Sequence, residues 1–239
     1  MNLVDIHTPG LAGQVIDALR HDVVVLQLPP VYTLIAAPTS LGVTLLNRAK
    51  ARQSGKNYGT AIGSIDRFWR CVTPGSTPPG LGVAAIGGLT GAFVRCRFAP
   101  HGTSTPTVRG GTHQGLLLGE PWRGLFRAVE DAWADRAEPD LFGGHAYTSV
   151  LCTSCNESGH PDGSIVGRSA ALRFADQRRI GLMVTCDERA TELGSYPIFA
   201  FGPSSVTIER TGPRLEALID QLPAALRPTN PARTPAPVP

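Results

Sequence analysis

The sequence predicts an α/β fold in one domain, in which a mixed sheet is flanked by helices. Apolar segments with helical spacing alternate with short strand-like runs, which is the pattern of this class. The chain of 239 residues is 42% hydrophobic and 17% charged, so it has enough apolar surface for a sizeable core. Its 27 glycines and 21 prolines indicate many turns between short elements.

Four segments have helical spacing or a helix-start signal, and they are 11–19, 39–51, 121–137 and 213–222. In the second segment, Thr39 or Ser40 is a suitable N-cap and Lys50 lies at the helix end. Pro121 and Pro213 suit the first turn of the third and fourth helices.

Seven apolar runs predict strands, at 22–28, 83–86, 91–98, 148–152, 180–186, 197–201 and 206–209. The polar, glycine-rich segment 99–115 predicts a mobile loop, in which Arg109 is a candidate lid residue. We take residues 1–222 as the folded domain. Residues 223–239 contain six prolines and are predicted to form a disordered tail.

The composition argues against several functional classes. A formal net charge of +3 gives RNA or DNA binding little support, and no apolar run approaches the roughly 18 residues of a membrane span. The first residues lack the pattern of a secretory leader, and five irregularly spaced cysteines are typical of reduced thiols. We therefore expect a cytoplasmic protein with no membrane partner.

Three cations lie close together where the second predicted helix ends. Lys50, Arg52 and Lys56 fall within seven residues, and these two lysines are the only ones among 22 basic residues. Converging cations orient a triphosphate and offset the charge that develops as pyrophosphate leaves. The alternative is a solvated helix end, where cations complement the helix dipole.

Hydroxyl and amide side chains follow the predicted strand 148–152. Thr153, Ser154 and Asn156 lie where open α/β sheets bind ligands, and residues two apart in an extended segment share a face. The alternative is an ordinary turn, because these residue types also form turns.

Two further constellations carry less weight. Ser204 and Arg210 belong to a late segment suited to closing over a nucleotide, or else to an ordinary hairpin. Cys152 and Cys155 have the spacing of a metal pair without a second pair at regular spacing, so we expect no metal site. The sequence has no Walker loop, Rossmann glycine fingerprint or nucleophile elbow.

Taken in order, these segments resemble the YrdC-like family, the threonylcarbamoyl-adenylate synthases. The family's K-x-R, with a further Lys or Asn four residues later, is similar to Lys50, Arg52 and Lys56. Its S-A-N-x-S-G is similar to residues 154–159, with Cys155 in place of alanine. Its late S-T-V and R-P-G are similar to residues 204–206 and 210–212, and the resemblance spans about residues 10–215.

The resemblance implies a twisted sheet with a concave basic face. It also implies that ATP, bicarbonate and L-threonine, with Mg²⁺, form threonylcarbamoyl-adenylate and pyrophosphate for tRNA modification. Lys50 and Arg52 would be catalytic. A second set would bind nucleotide or amino acid, namely Tyr32, Lys56, Thr153, Ser154, Asn156, Ser204 and Arg210. A protein that transfers the carbamoyl group onward is the implied partner.

The sequence departs from this family on the amino-acid side. The family's early P-T-[DE]-T-x-Y-G-L, which lines the amino-acid pocket, aligns with residues 27–34, where only Tyr32 and Leu34 are retained. Leu116 stands where the family has an arginine, and Ala61 where many members have a histidine. Because hydrogen-bonding sites discriminate strongly between substrates, these changes predict an altered amino-acid specificity.

Three hypotheses follow. The first is an ATP- and bicarbonate-dependent nucleotidyltransferase that forms a carbamoyl-adenylate from an amine other than threonine. The second is an ordinary threonylcarbamoyl-adenylate synthase whose early motif has drifted. The third is a catalytically inactive domain that binds nucleotide or RNA, or serves as a partner subunit.

Overall fold

The computed structural model of the protein describes residues 1–51, 56–157 and 163–228. Within these ranges eleven strands form one sheet. They are β1 (Asn2–Asp5), β2 (Val24–Gln27), β3 (Tyr32–Ala36), β4 (Gly59–Ala61), β5 (Ala92–Arg97), β6 (Val108–Arg109), β7 (Thr112–Leu117), β8 (Val150–Ser154), β9 (Leu182–Thr185), β10 (Ile198–Phe201) and β11 (Val206–Arg210). Their order across the sheet is β1-β9-β2-β3-β8-β4-β7-β5-β10-β11, and β6 pairs with β7. Parallel and antiparallel pairs both occur, so the predicted mixed sheet is confirmed.

Seven α-helices of the described residues cover the two faces of this sheet. They are α1 (Leu11–Leu19), α2 (Ser40–Lys50), α3 (Ile65–Arg70), α4 (Val83–Gly87), α5 (Trp122–Ala132), α6 (Arg168–Gln177) and α7 (Leu215–Gln221). Helices α1 and α5 bury Val15 and Phe126 on one face of the sheet. The other five helices bury residues such as Leu46, Phe68 and Phe174 on the opposite face. The α/β prediction is therefore confirmed.

Helix α2 has the boundaries that its sequence signals predict. The Thr39 hydroxyl oxygen accepts a hydrogen bond from the Gly42 amide at 3.1 Å, as an N-cap does. Ala51, at φ 45°, ends the helix in the left-handed conformation. Lys50 is therefore the last helical residue, and the helix end brings it next to the end of β8.

Two predicted segments are wrong. Residues 83–86 belong to helix α4, because a short apolar run does not by itself distinguish a buried helical turn from a strand. The predicted mobile loop 99–115 contains β6 and most of β7. Its polar composition is misleading because His113 is buried and bonded to Thr60 and to the backbone of Thr107.

Several elements are missing from the sequence prediction. Strand β3 begins directly after Val31, close behind the Pro29-Pro30 pair that signals a break. Strands β1 and β4 have only four and three residues, and Phe174 is the one large side chain among the three residues that α6 buries. Such short or weakly patterned elements are specified by pairing with distant strands, which a local pattern does not contain.

Ordered structure continues into the predicted tail. After α7 a 3-10 helix, Ala224–Leu226, buries Leu226 in the main core. Residues 229–239 lie outside the described ranges, so the tail remains a prediction there. In the described part of the chain, the helices are all too short or too polar to cross a bilayer.

Candidate functional site

A polar cavity lies on the α1–α5 face of the sheet; we call it the central cavity. Its volume is about 100 Å³. The apolar part of its wall, Val31, Leu116, Cys152 and Tyr196, continues the core beneath α1 and α5. The polar part consists of Thr33, Asn57, Gln114, Thr153, Ser154, Ser195 and Arg210.

The strand register brings these residues together. Thr33 on β3 lies opposite Ser154 on β8, and Gly59 on β4 lies opposite Cys152. A side chain at position 59 has no room, because a Cβ there would lie 2.9 Å from Phe93 Cε1. The absence of a side chain at Gly59 therefore keeps this part of the wall open.

Lys50, Ser154 and Asn156 form one hydrogen-bonded cluster beside the central cavity. The buried Lys50 ammonium donates to the backbone oxygens of Ser154 at 2.6 Å and Asn156 at 2.7 Å. It also donates to Asn156 Oδ1 at 3.1 Å, and the Ser154 hydroxyl donates to that same Oδ1 at 2.6 Å. The structure thus joins two segments that the sequence analysis selected separately.

Arg210 supplies a cation to the cavity wall. Its Nε donates to the backbone oxygen of Tyr196 at 2.8 Å, and its guanidinium lies 5.6 Å from the centroid of the Phe93 ring. Burial, and secondly the neighbouring Arg95, lower the pKa of Arg210 to about 10. Arg210 remains charged at neutral pH, and an anion in the cavity would offset the cost of burying that charge.

Other predicted site residues lie elsewhere. The Tyr32 side chain packs in the core on the opposite face from Thr33, because neighbours on a strand point to opposite faces. Tyr32 still positions the site through its backbone oxygen, which accepts from the Cys155 amide at 2.8 Å. Lys56 is exposed, and the cavity is lined by the next residue, Asn57. Arg52 lies outside the described residues.

Ser204 is exposed in the turn between β10 and β11, whereas Arg210 is at the far end of β11. The serine that lines the cavity near Arg210 is Ser195, whose hydroxyl lies 2.8 Å from that of Ser164. No motif marks Ser195, because it precedes β10 in an irregular segment. The sequence analysis selects neither Thr33 nor Gln114, because it does not predict β3 and it places Gln114 in a loop.

The cavity wall does not favour a protein-held metal. The described residues of the wall offer hydroxyl and amide oxygens but no carboxylate, whereas Mg²⁺ is usually held by carboxylates and by the phosphates of its substrate. Cys152 and Cys155 belong to cores on opposite faces of the sheet, so they do not form a ligand pair. Among residues 1–51, 56–157 and 163–228, no group of three or more His, Cys, Asp or Glu side chains is arranged to hold a metal.

A second, larger cavity begins at Asn156; we call it the outer cavity. Its volume is about 480 Å³, and its wall includes Arg173, Phe174 and Gln177 of α6. The hydrogen bond between Ser154 and Asn156 places the outer cavity next to the central one. A volume of about 480 Å³ falls within the range of about 300–1,000 Å³ usual for small-molecule sites.

The fold is similar to several solved structures. P. abyssi Sua5 complexed with L-threonine matches with a TM-score of 0.60 and 12% identity, over 93% of this chain and 62% of that chain. E. coli YciO matches with a TM-score of 0.58 and 12% identity, over 88% and 93%. Full-length HypF in the phosphate- and nucleotide-bound form matches with a TM-score of 0.56 and 13% identity, over 84% and 29%.

These matches confirm the YrdC-like fold that the resemblance implies. The chain spans less than two thirds of the length of Sua5 and less than one third of that of HypF. No protein-family model matches the sequence, and no curated protein matches it.

Proposed function

We propose that this protein forms a carbamoyl-adenylate from an amine, with ATP and bicarbonate as co-substrates. The observation that carries the proposal is the meeting of Lys50, Ser154 and Asn156 beside a cavity that also contains Arg210. The fold shared with a Sua5 that binds L-threonine and a HypF that binds phosphate and nucleotide supports it.

The proposed reaction has two steps. The amine attacks bicarbonate carbon, and loss of water gives a carbamate. A carbamate oxygen then attacks the α-phosphorus of ATP, and the bond from that phosphorus to the bridging oxygen breaks to release pyrophosphate. The protein's contribution is to orient the carbamate against the phosphorus and to stabilise the charge on the departing group.

We assign these tasks to different parts of the site. The central cavity, at about 100 Å³, is too small for a nucleotide and suits the reacting carbamate and a phosphoryl group. The outer cavity would hold the nucleoside, with the α-phosphate at the Ser154–Asn156 pair. Arg210, with Lys50 and Arg52, would offset the negative charge of the leaving pyrophosphate, and Mg²⁺ would arrive bound to the triphosphate.

A second candidate, a nucleotide-binding domain without catalysis, is favoured by one observation. Each of three protein oxygens lies within hydrogen-bond distance of the Lys50 ammonium, so this group also has a purely structural use. A partner-subunit or RNA-binding role belongs to the same alternative.

The test is pyrophosphate release from ATP, Mg²⁺ and bicarbonate across a panel of amino acids and amines. We expect release with an amine other than threonine. Ser154→Ala should lower the rate of release about 10- to 100-fold, because it removes the hydroxyl that bonds Asn156 and that we assign to the α-phosphate. Ser104→Ala, an exposed serine that does not line the central cavity, is the matched control. Release with threonine alone would indicate an ordinary synthase with a drifted motif. ATP binding without release on any amine would favour the non-catalytic candidate.

A further inference from the structure

A third cleft adjoins the central cavity and shares Tyr196 with it; we call it the side cleft. Its volume is about 260 Å³, slightly below the usual range for drug-sized ligands and suited to a molecule of amino-acid size. Its wall is mostly apolar, with Pro29, Pro30, Leu118 and Trp122 among its residues. A molecule in this cleft therefore lies beside the proposed reaction site with its apolar part against a proline and tryptophan wall.

Two buried donors in the wall of the side cleft lack a partner among the described residues. Trp122 is 3% exposed and Tyr196 is 5% exposed, and neither the Trp122 Nε1 nor the Tyr196 hydroxyl has a hydrogen bond there. An unpaired buried donor costs about 1–3 kcal/mol, and an indole N–H can only donate. Both groups would be satisfied by an acceptor oxygen, such as that of a carboxylate.

The charged residues of the side cleft indicate which charges a bound molecule would carry. Glu188 and Arg214 are exposed at its wall and present one charge of each sign. Glu120 also lines the cleft, but its oxygens already accept from Arg123 Nε at 3.1 Å and from the Gly124 amide at 2.9 Å. An ammonium beside Glu188 and a carboxylate beside Arg214 would complement this pair.

We propose that the side cleft binds the amine substrate, and that this substrate is an α-amino acid with an apolar side chain. The proposal rests on the proposed function and specifies its substrate class. Pro29, Pro30 and Leu118 would contact the side chain. Trp122 Nε1, Tyr196 and Arg214 would contact the carboxylate, and Glu188 the amino group. Among the described residues of the wall, Thr90 and Tyr196 carry the side-chain hydroxyls, and Thr90 Oγ1 already donates to the Gly87 oxygen at 3.1 Å. The wall therefore favours an apolar side chain over a hydroxyl-bearing one.

The test measures binding by isothermal titration calorimetry in the absence of ATP, with L-phenylalanine, 3-phenylpropionate and L-threonine as probes. We expect L-phenylalanine to bind about tenfold more tightly than 3-phenylpropionate, which lacks the amino group, and more tightly than L-threonine. In Glu188→Gln the preference for L-phenylalanine over 3-phenylpropionate should largely disappear. Glu216→Gln, an exposed change on α7, should leave both affinities unchanged.

Tyr196→Phe provides a readout that a structural role would not produce. Removing an unpaired buried hydroxyl should leave the unfolding temperature of the free protein unchanged or raise it. The affinity for L-phenylalanine should fall about three- to tenfold. The proposal is overturned if none of the probes binds, if threonine binds as tightly as phenylalanine, or if both variants bind like the native protein.

The binding assay also separates this proposal from the proposed function. Glu188-dependent binding of L-phenylalanine without pyrophosphate release on any amine would support the side cleft and overturn the enzymatic proposal. Release with an amine whose KM is unchanged by Glu188→Gln would support the enzyme and overturn the cleft assignment.

Discussion

The ammonium nitrogen of Lys50 lies 2.7 Å from the backbone oxygen of Asn156 and 3.1 Å from its Oδ1. With the Ser154 oxygen, three acceptors surround a group that has three protons. Lys50 therefore connects the end of α2 to the turn after β8 through hydrogen bonds. The residue proposed to act on phosphate also positions the residues proposed to act with it.

Lys50→Met keeps the aliphatic stem and removes these three hydrogen bonds. We expect the free energy of unfolding to fall by about 2–3 kcal/mol, because buried acceptors lose a charged donor. Urea unfolding measures the change, and Arg48→Met, exposed on the same helix, should change stability little. A stability equal to that of the native protein would refute the positioning role. Lys50→Arg should not restore it, since a planar guanidinium does not fit three converging acceptors.

Inorganic pyrophosphate should raise the unfolding temperature of the native protein, because an anion relieves the cost of burying the Arg210 charge. In Arg210→Gln we expect most of this increase to be lost. Differential scanning fluorimetry with and without pyrophosphate measures it, and Arg20→Gln, exposed at the end of α1, is the control. An equal increase in the native protein and in Arg210→Gln would place the anion elsewhere.

The choice between two serines tests where the site lies. Ser195→Ala should lower pyrophosphate release about tenfold if the central cavity is the reaction site, because Ser195 lines it. Ser204→Ala should have little effect, since that residue is exposed in the β10–β11 turn. Steady-state kinetics of both variants measure this difference, and the reverse result would support the position chosen from the sequence motif.

His113 should make the fold acid-sensitive. Burial lowers its pKa from 6.5 to about 4, so between these values the unfolded chain binds a proton that the folded protein does not. Stability should therefore fall as the pH falls from 6.5 to about 4, by up to about 3 kcal/mol. Urea unfolding at several pH values measures the slope.

The variant His113→Gln isolates this contribution, because glutamine does not titrate. Burial raises the pKa of Glu130, which gives a slope of the opposite sign, so the comparison is between variant and native protein at each pH. His101→Gln, which is exposed, should retain the native slope. If stability fell with pH as steeply in His113→Gln as in the native protein, His113 would not be the source of the acid sensitivity.

Gly59→Ala should destabilise the protein by about 1–3 kcal/mol and narrow the central cavity, since the new Cβ would lie 2.9 Å from the Phe93 ring. Gly13→Ala is the matched control, because a Cβ there meets no atom within 4 Å and alanine is the better helix former. Thermal unfolding should show opposite shifts for the two variants. An unchanged unfolding temperature in Gly59→Ala would mean that the Phe93 side chain moves to make room, and would contradict the prediction.

The elements predicted correctly are those whose signals are local. Helix α2 has a capping threonine before it and α5 has an amphipathic face, so both follow from residues adjacent in sequence. Strand β4 has three residues and exists because β7 and β8 pair with it on either side. His113 looks like a loop residue because its partner Thr60 is far away in the chain.

The candidate site also combines residues with a local sequence signal and residues that only distant contacts bring into place. Ser154 and Asn156 are found from their order after a strand, and Arg210 from its place near the end of another. The choice of Tyr32 over Thr33 depends on which face of β3 turns toward the cavity, and that face is decided by packing across the whole sheet. Ser195 enters the cavity only through the arrangement of the segment before β10, which has no periodic pattern.

The place of β9 in the sheet bears on how the chain is synthesised. Its residues pair with β1 on one side and with β2 on the other, although both of those strands leave the ribosome much earlier. Until Thr185 has emerged, β1 has no neighbour and β2 has an open edge that accepts pairing from any extended chain nearby. A nascent chain that stalls before this point therefore exposes one unpaired edge of β2 to other extended chains, which a chain whose strands pair in the order of synthesis would not do.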